Sequence, residues 1–370
     1  MITFMFPGQG SQKKGMGGSL FDEFGKLTKK ADDILGYSIK ELCLNDPLRE
    51  LNQTQFTQPA LYVINAFSYL KKIKETGTKP DYVIGHSLGE FNALLAANCF
   101  DFEDGLRIVQ KRGELMSKAS NGSMAAIVDG TKQQIEDILH SNNLMNIDIA
   151  NYNTHSQFVI SGLKQEIDAS EMLFRKTDMH FYPLNASGAF HSRFMESAKN
   201  EFHSFLQQFQ FNELTIPVIS NMTAQPYVQE QITDTLSGQI SNAVKWFESV
   251  EFLVSIGNPM EFVEIGFSEV LTKLVDKIIT TPQAKKVEAT PQLAQPGNSV
   301  SRDTSKPLSA LEKVKAWNYK NPVGTKVKST TMNYNNLETR TEAVVLFGHR
   351  AAIYMKGYNG YFDLDEIVPI

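Results

Sequence analysis

Residues 82–97 read YVIGHSLGEFNALLAA: a short β-prone run, then Gly85-His86-Ser87-Leu88-Gly89, then an apolar run of helical character. No other stretch constrains the fold as much. A serine held between two glycines where a strand turns into a helix is how a chain exposes a hydroxyl nucleophile, because so tight a turn leaves no room for a Cβ at the flanking positions. Strand, turn and helix in that order belong to a parallel α/β sheet. Ser87 is the candidate nucleophile. The five-residue pattern by itself also fits a turn residue or a helix cap, so the rest of the chain has to supply its partners.

The other elements agree with an α/β fold. Residues 2–6 read as a short buried strand closed by Pro7-Gly8-Gln9-Gly10-Ser11-Gln12, a loop whose glycines let backbone N–H groups approach a ligand closely. It is not a phosphate loop: the Gly-Lys-Ser/Thr ending is missing, and Lys13 stands where a dinucleotide fingerprint needs its third glycine. Residues 20–44 look helical with a break at Gly36, and Thr57-Gln58-Pro59 opens a helix to about residue 73, proline suiting a first turn. Residues 102–119, amphipathic, carry Arg112; arginines on helices are mostly solvated.

Residues 122–184 have a different grain. Strand-like runs at 124–128, 147–152, 158–161 and 180–184, with helices near 133–140 and 166–176, give the order β-α-β-β-α-β of a ferredoxin-like unit. The predicted architecture is therefore a large α/β-hydrolase-like parallel-sheet domain over 1–121 and 186–280, with a small ferredoxin-like domain inserted at 122–185. The large domain resumes with Gly188-Ala189-Phe190-His191-Ser192, a helix to about 208, a strand at 216–220, a helical stretch at 236–244, segments at 254–256 and 261–264, and a helix near 270–279. Residues 281–307, rich in Pro, Ser, Thr, Gln and Lys, read as a linker. Residues 308–370 are apolar and aromatic enough to fold, and form a C-terminal extension that packs on the main body or binds a partner.

Composition excludes several classes. A net charge of −5 argues against a general nucleic-acid surface. No apolar run is long enough to span a bilayer, so no membrane partner is expected. The opening residues lack a basic region before the apolar ones and meet Pro7-Gly8 early, which predicts a first strand rather than a signal peptide. Two cysteines, Cys43 and Cys99, make neither a disulfide framework nor a zinc site, so a cytoplasmic setting is expected and no metal.

Four segments now point one way: FPGQGSQ at the start, GHSLGE at the turn, QKRGELM on the next helix, and GAFHSRFM after the inserted unit. In sequence and order they resemble the malonyl-CoA:acyl carrier protein transacylase family, which includes the acyltransferase domains of polyketide synthases. NYNTHSQFVISG and SGQISNAVKWFESV are similar too, and LNQTQFTQPALYVINAFSYL with LGYSIKEL resembles the free-standing, trans-acting acyltransferases of polyketide pathways. The match spans roughly residues 1–279.

Acyl transfer from a thioester needs a nucleophile, a base, an oxyanion site and a grip on the acyl group. The resemblance implies that His191 is the base to Ser87, oriented by the main-chain carbonyl of Gln239 instead of a carboxylate. It implies an oxyanion site made by the backbone N–H groups of Leu88, where a helix start favours negative charge, and of Gln9. Arg112 is implied to pair with the free carboxylate of a malonyl group, which its planar fork suits, and Phe190 to narrow the space at the α-carbon in favour of unbranched malonyl. Gln58, Asn151 and Asn153 are candidate pocket residues, each equally well read as a cap or turn residue. The implied reaction moves malonyl from malonyl-CoA through a Ser87 ester to the phosphopantetheine thiol of an acyl carrier protein in trans, with no tightly bound cofactor and a monomer as the expected state.

Other readings stand beside this one. An acyl hydrolase of the same fold shares the dyad but uses water, and the resemblance implies that such hydrolases lack the arginine. A housekeeping fatty-acid malonyl transacylase has the same chemistry in another pathway. A general α/β-hydrolase esterase lacks support, since its run of oxyanion glycines and its acid between serine and histidine are missing. A scaffold protein whose business lies in the extension is the non-enzymatic alternative.

Overall fold

The computed structural model describes residues 1–281, 310–330, 334, 336–346, 350–356 and 361–370. Apart from Thr281, the expected 281–307 linker lies outside the described residues. The chain divides into two compact units, Met1–Val287 and Glu288–Ile370.

The strands of the first unit are β1 (Ile2–Phe6), β2 (Tyr82–Gly85), β3 (Gly122–Val128), β4 (Ile147–Thr154), β5 (Gln157–Leu163), β6 (His180–Pro183), β7 (Val218–Ile219) and β8 (Glu261–Glu264). Four of them make a parallel sheet in the order β7-β2-β1-β8. Side chains alternate across it, as a two-residue period requires. Phe4, Phe6, Val83 and Val218 face one apolar core, while Met5, Ile84 and Ile219 face a second, built on Trp246, Val250 and Leu271. A sheet buried on both faces explains why β1 and β2 read as nearly unbroken apolar runs.

Register sets the site. Phe6 pairs with Gly85, so the two strands end level and their following loops leave the same edge side by side. The contact is backbone on backbone. A Cβ on Gly89 would lie 1.9 Å from the Phe6 carbonyl oxygen, one on Gly85 would lie 2.0 Å from the Gly89 carbonyl carbon, and one on Gly8 would lie 2.2 Å from the His86 oxygen. Gly8, Gly85 and Gly89 are therefore demanded by one close approach. Ser87 between them is held at φ 52°, in the left-handed region, a strain that only surroundings this tight maintain.

The remaining four strands form an antiparallel sheet in the order β4-β5-β3-β6, the ferredoxin-like order, with helices Lys132–Ser141 and Lys164–Phe174 on one face. Met124, Ala150 and Val159 on the other face join the core of the large sheet. The insert is also stitched on by main chain: Tyr152 N–H donates to the Val244 carbonyl at 2.9 Å, and Val244 N–H to the Ala150 carbonyl at 2.8 Å.

Several boundaries differ from expectation. The helix expected to open at Thr57-Gln58-Pro59 runs from Thr54 to Thr76 with Pro59 inside it. Burial of Thr57 through Phe67 against the core outweighs the hydrogen bond that proline forgoes. Residues 254 and 255 end the helix Trp246–Ser255, and pairing in the 216–220 run is limited to β7. The helix expected at 236–244 instead spans Ile232–Gly238, and the chain turns away at Gln239.

The described part of the second unit has its own core. Strand Lys326–Ser329 lies between Leu337–Glu338 and Ile367–Pro369, and Arg350–Tyr354 between Val344–Leu346 and Tyr361–Asp363, all antiparallel. Val314 of the helix Ala310–Lys320 joins Val327, Leu337, Ile353, Met355 and Phe362 in one apolar cluster.

Gly89→Ala is expected to lower stability by about 3 kcal/mol, a clash that backbone atoms cannot relieve. Gly25→Ala, on an exposed helical turn with open space around it, should be neutral or gain up to about 1 kcal/mol. Thermal unfolding of the two variants tests this, and equal melting temperatures would contradict the close approach at the elbow.

Candidate active site

The turn after β2 points Ser87 into a cavity of 580 Å³ lined by residues of both sheets, among them Gln9, Arg112, Asn151, Asn153, Phe190 and His191. Ser87 Oγ lies 2.7 Å from His191 Nε2. The other ring nitrogen, Nδ1, lies 3.0 Å from the Gln239 carbonyl and 3.2 Å from that of Asn242. Two acceptors at Nδ1 keep the proton there, which leaves Nε2 free to accept one from Ser87. The structure thus brings together the serine, the histidine and the Gln239 carbonyl named from sequence, and adds a second carbonyl. Asn242 gave no sequence signal, because any residue supplies a main-chain oxygen.

Burial, helped by the nearby Arg112 charge, lowers the pKa of His191 to about 3. The imidazole is therefore neutral and ready to act as a base across the whole ordinary pH range. His86, next to the nucleophile, is also pushed below its usual value by burial, and its Nε2 meets Asn153 Oδ1 at 2.9 Å.

Arg112 is 1% exposed, contrary to the usual lot of a helical arginine. The helix Phe102–Ser117 can bring it inward because Gly113 packs on the long helix: a Cβ there would sit 3.3 Å from Gln55 Cα. Nη1 donates to Gln58 Oε1 at 2.7 Å, and Nη2 donates to Gln239 Oε1 at 2.7 Å and to Ser87 Oγ at 3.2 Å. The guanidinium also lies over the Phe91 ring, 5.3 Å from its centroid. Burial lowers its pKa to about 9, an effect that Glu90 opposes, so it stays charged at neutral pH.

Gln58 requires a correction. It sits behind Arg112, with its amide nitrogen against Met116 Sδ at 3.3 Å, and is not among the residues that line the cavity. Asn151 and Phe190 do line it, and Asn153 does so with its side-chain oxygen committed to His86. Gln239 does more than its carbonyl suggested. Its side-chain amide donates to the Ser87 carbonyl at 2.7 Å and to Glu90 Oε2 at 2.6 Å.

Leu88 is fully buried at the start of the helix Gly89–Ala96, and Gly8 packs within 3.5 Å of its nitrogen, measured from the position of a Cβ. Among the described residues the backbone N–H groups of Leu88 and Gln9 donate to no other group of the protein. Two free donors beside a serine at a helix start are what a developing oxyanion requires.

Sequence reasoning missed the residues that hold the elbow from below. Asn221, at the end of β7, accepts from Ser87 N–H at 2.7 Å and donates to the Gly85 carbonyl at 2.6 Å. Glu90, fully buried, accepts from Asn221 N–H at 3.1 Å and from Tyr227 OH at 2.7 Å. The one available signal was the acid itself, standing alone in the run EFNALLAA. Among the described residues no group of three or more His, Cys, Asp or Glu is placed to hold a metal ion.

A strained serine paired with a neutral histidine, beside unused amide donors at the edge of a parallel sheet, defines an enzyme of covalent acyl transfer. The chain belongs to the acyl transferase domain family, whose model matches residues 3–307. The polyketide biosynthesis malonyl CoA-acyl carrier protein transacylase PksC of Bacillus subtilis is 55% identical over 294 residues, covering 79% of this chain and all of that protein. A crystal structure of malonyl CoA-acyl carrier protein transacylase from Burkholderia pseudomallei is 52% identical with a TM-score of 0.75, covering 76% of this chain and 99% of that one. A type II polyketide synthase acyl-carrier protein in complex with its malonyl-transacylase matches at 31% identity and TM-score 0.71, over 75% of this chain and 93% of that one. Among the described residues no helix is long and apolar enough to cross a membrane.

Because the His191 imidazole stays neutral down to about pH 3, sulfonylation of Ser87 by a small uncharged serine reagent such as phenylmethylsulfonyl fluoride, with loss of fluoride, should persist well below pH 6. A loss of labelling with a midpoint near 6.5 would show an unshifted histidine and refute the assignment.

Proposed function

We propose that this protein transfers malonyl from malonyl-CoA to the phosphopantetheine thiol of an acyl carrier protein, supplied in trans to a polyketide synthase. The observation that carries this reading is Arg112, a buried, charged guanidinium reaching within 3.2 Å of the nucleophile Ser87. An acyl group that ends in a carboxylate gains a charge-assisted pair there, and an acetyl group does not. Membership of the acyl transferase family and the likeness to PksC support the polyketide setting.

Ser87 Oγ attacks the thioester carbonyl carbon as its proton passes to His191 Nε2. The backbone N–H groups of Gln9 and Leu88 hold the oxyanion. Collapse breaks the carbon–sulfur bond, and His191 returns the proton to the departing thiolate of coenzyme A, leaving malonyl as an ester on Ser87. In the second half the carrier's thiol gives its proton to His191, its sulfur takes the acyl group, and Ser87 recovers its proton. Arg112 anchors the malonyl carboxylate throughout, and Phe190 bounds the space at the α-carbon, with Asn151 and Asn153 across the cavity. The residues themselves complete this cycle without a tightly bound cofactor.

We assign this chemistry to residues 1–121 and 186–280, with 122–185 as the inserted domain, and treat 308–370 as a separate extension. The monomer is the active form in this reading. The buried free thiols of Cys43 and Cys99 fit a cytoplasmic setting.

Exposure to malonyl-CoA should add one malonyl group to the intact mass, absent in Ser87→Ala and discharged by a phosphopantetheinylated carrier protein. Malonate release at a rate indifferent to carrier would mark a hydrolase instead. Arg112→Ala should lower malonyl loading by ten- to a hundredfold, about 1.5–3 kcal/mol, and raise the share of acetyl loading. Retained malonyl preference would remove the arginine from its role.

A further inference from the structure

Gln239 occupies an unusual position. Its main-chain oxygen holds His191, its side-chain oxygen holds Arg112, and its side-chain nitrogen holds the Ser87 carbonyl. An amide serves Arg112 only in one of its two flips, with oxygen toward the guanidinium. With nitrogen there, donor would face donor. Something has to choose the flip. The Ser87 carbonyl accepts and so favours the observed orientation, and the other amide oxygen at Arg112, that of Gln58, is already engaged with Nη1.

We propose that Glu90 is the positioning residue that fixes the Gln239 amide, and thereby holds Arg112 in the orientation that selects a carboxylate-bearing acyl group. This rests on the malonyl-transfer reading above and extends it. Glu90 Oε2 accepts from Gln239 Nε2 at 2.6 Å. An ionised carboxylate can only accept, so it locks the amide nitrogen toward itself and the amide oxygen toward Arg112. Glu90 does not touch the cavity. The buried anion reaches the buried cation through one amide, which orients the guanidinium without neutralising it by direct pairing, as a touching carboxylate would.

The same geometry says where a proton would go. Glu90 Oε1 already accepts twice, from Tyr227 OH and Asn221 N–H, so protonation falls on Oε2, the oxygen facing Gln239. A protonated Oε2 is a donor aimed at a donor. The amide then loses its acceptor at Glu90 and is held by the Ser87 carbonyl alone, so the orientation that presents its oxygen to Arg112 is no longer locked. The groups facing Glu90 are Tyr227, whose phenol burial keeps protonated, Asn221, Gln239 and, through the latter, Arg112. Burial raises the carboxyl pKa to about 7, against the lowering effect of its hydrogen bonds and of Arg112. The orienting carboxylate is therefore present above that pH and lost below it, the sense expected for an acid whose charged form is penalised by burial.

The experiment measures single-turnover loading of Ser87 by malonyl-CoA and by acetyl-CoA, by intact mass, between pH 5.5 and 8.5. For the natural protein the malonyl-to-acetyl ratio should fall about tenfold on acidification, with a midpoint near 7, although the malonyl carboxylate itself stays ionised. In Glu90→Gln the ratio should be low at every pH and the transition absent, the change appearing in the malonyl KM more than in kcat. Glu90→Asp should restore part of the pH dependence. Malonyl and acetyl loading falling together in Glu90→Gln would show a merely structural role and overturn the inference. So would a ratio in the natural protein that is flat with pH, a result that needs no variant to fold. If the natural protein forms no malonyl ester on Ser87, the functional reading falls first and the inference with it.

Discussion

A guanidinium taken out of water has to be met by acceptors, and in this protein that requirement organises the site. Arg112 is covered by the helix that carries it, by Phe91 beneath, and by the side-chain oxygens of Gln58 and Gln239 at its two ends. Among the described residues no carboxylate forms an ion pair with it. Leaving a buried cation with neutral acceptors costs stability relative to a direct ion pair, yet a directly paired arginine would have little left for an incoming carboxylate. In the inference drawn above, Glu90, one amide removed, supplies compensating charge where it is ionised without pairing directly with the fork.

Around that cation the two loops of the sheet edge do complementary things. Gly85 and Gly89 of the β2 turn and Gly8 of the β1 loop are forced by backbone contact, and Gln9 and Ser87 line one cavity. In the proposed mechanism main-chain groups supply the oxyanion donors, and main-chain carbonyls hold His191 Nδ1, while side chains supply the nucleophile, the base and the anchor. Fixed dipoles of this kind need no rearrangement as charge develops. The arrangement also explains the lack of a third acidic member: the Gln239 and Asn242 carbonyls hold Nδ1 directly.

The inserted domain belongs to the site as well as to the fold. Main-chain pairing of β4 with Val244 ties the insert to the segment that carries Gln239 and Asn242, and β4 brings Asn151 and Asn153 into the lining of the cavity. The unit formed by the C-terminal extension is built differently, from short antiparallel strands around Val327 and Ile353. It has a core of its own, in keeping with the apolar and aromatic residues that the sequence carries there.

Ser87, its elbow, the parallel sheet and the ferredoxin-like insert were legible in the chain because each depends on local pattern: glycine spacing where backbones touch, alternation where a sheet is covered on both sides. His191, Arg112 and the Gln239 carbonyl came from motif resemblance. The roles of Glu90, Asn221, Tyr227 and Asn242, the burial of Arg112 and the true place of Gln58 came only with the fold. Each of these depends on which polar atom meets which across more than twenty residues of sequence, and hydrogen-bond partners at that separation leave no periodic trace. Local sterics were written in the sequence; the pairing of buried polar groups was decided by packing, since only there does an unmatched donor or acceptor carry a cost.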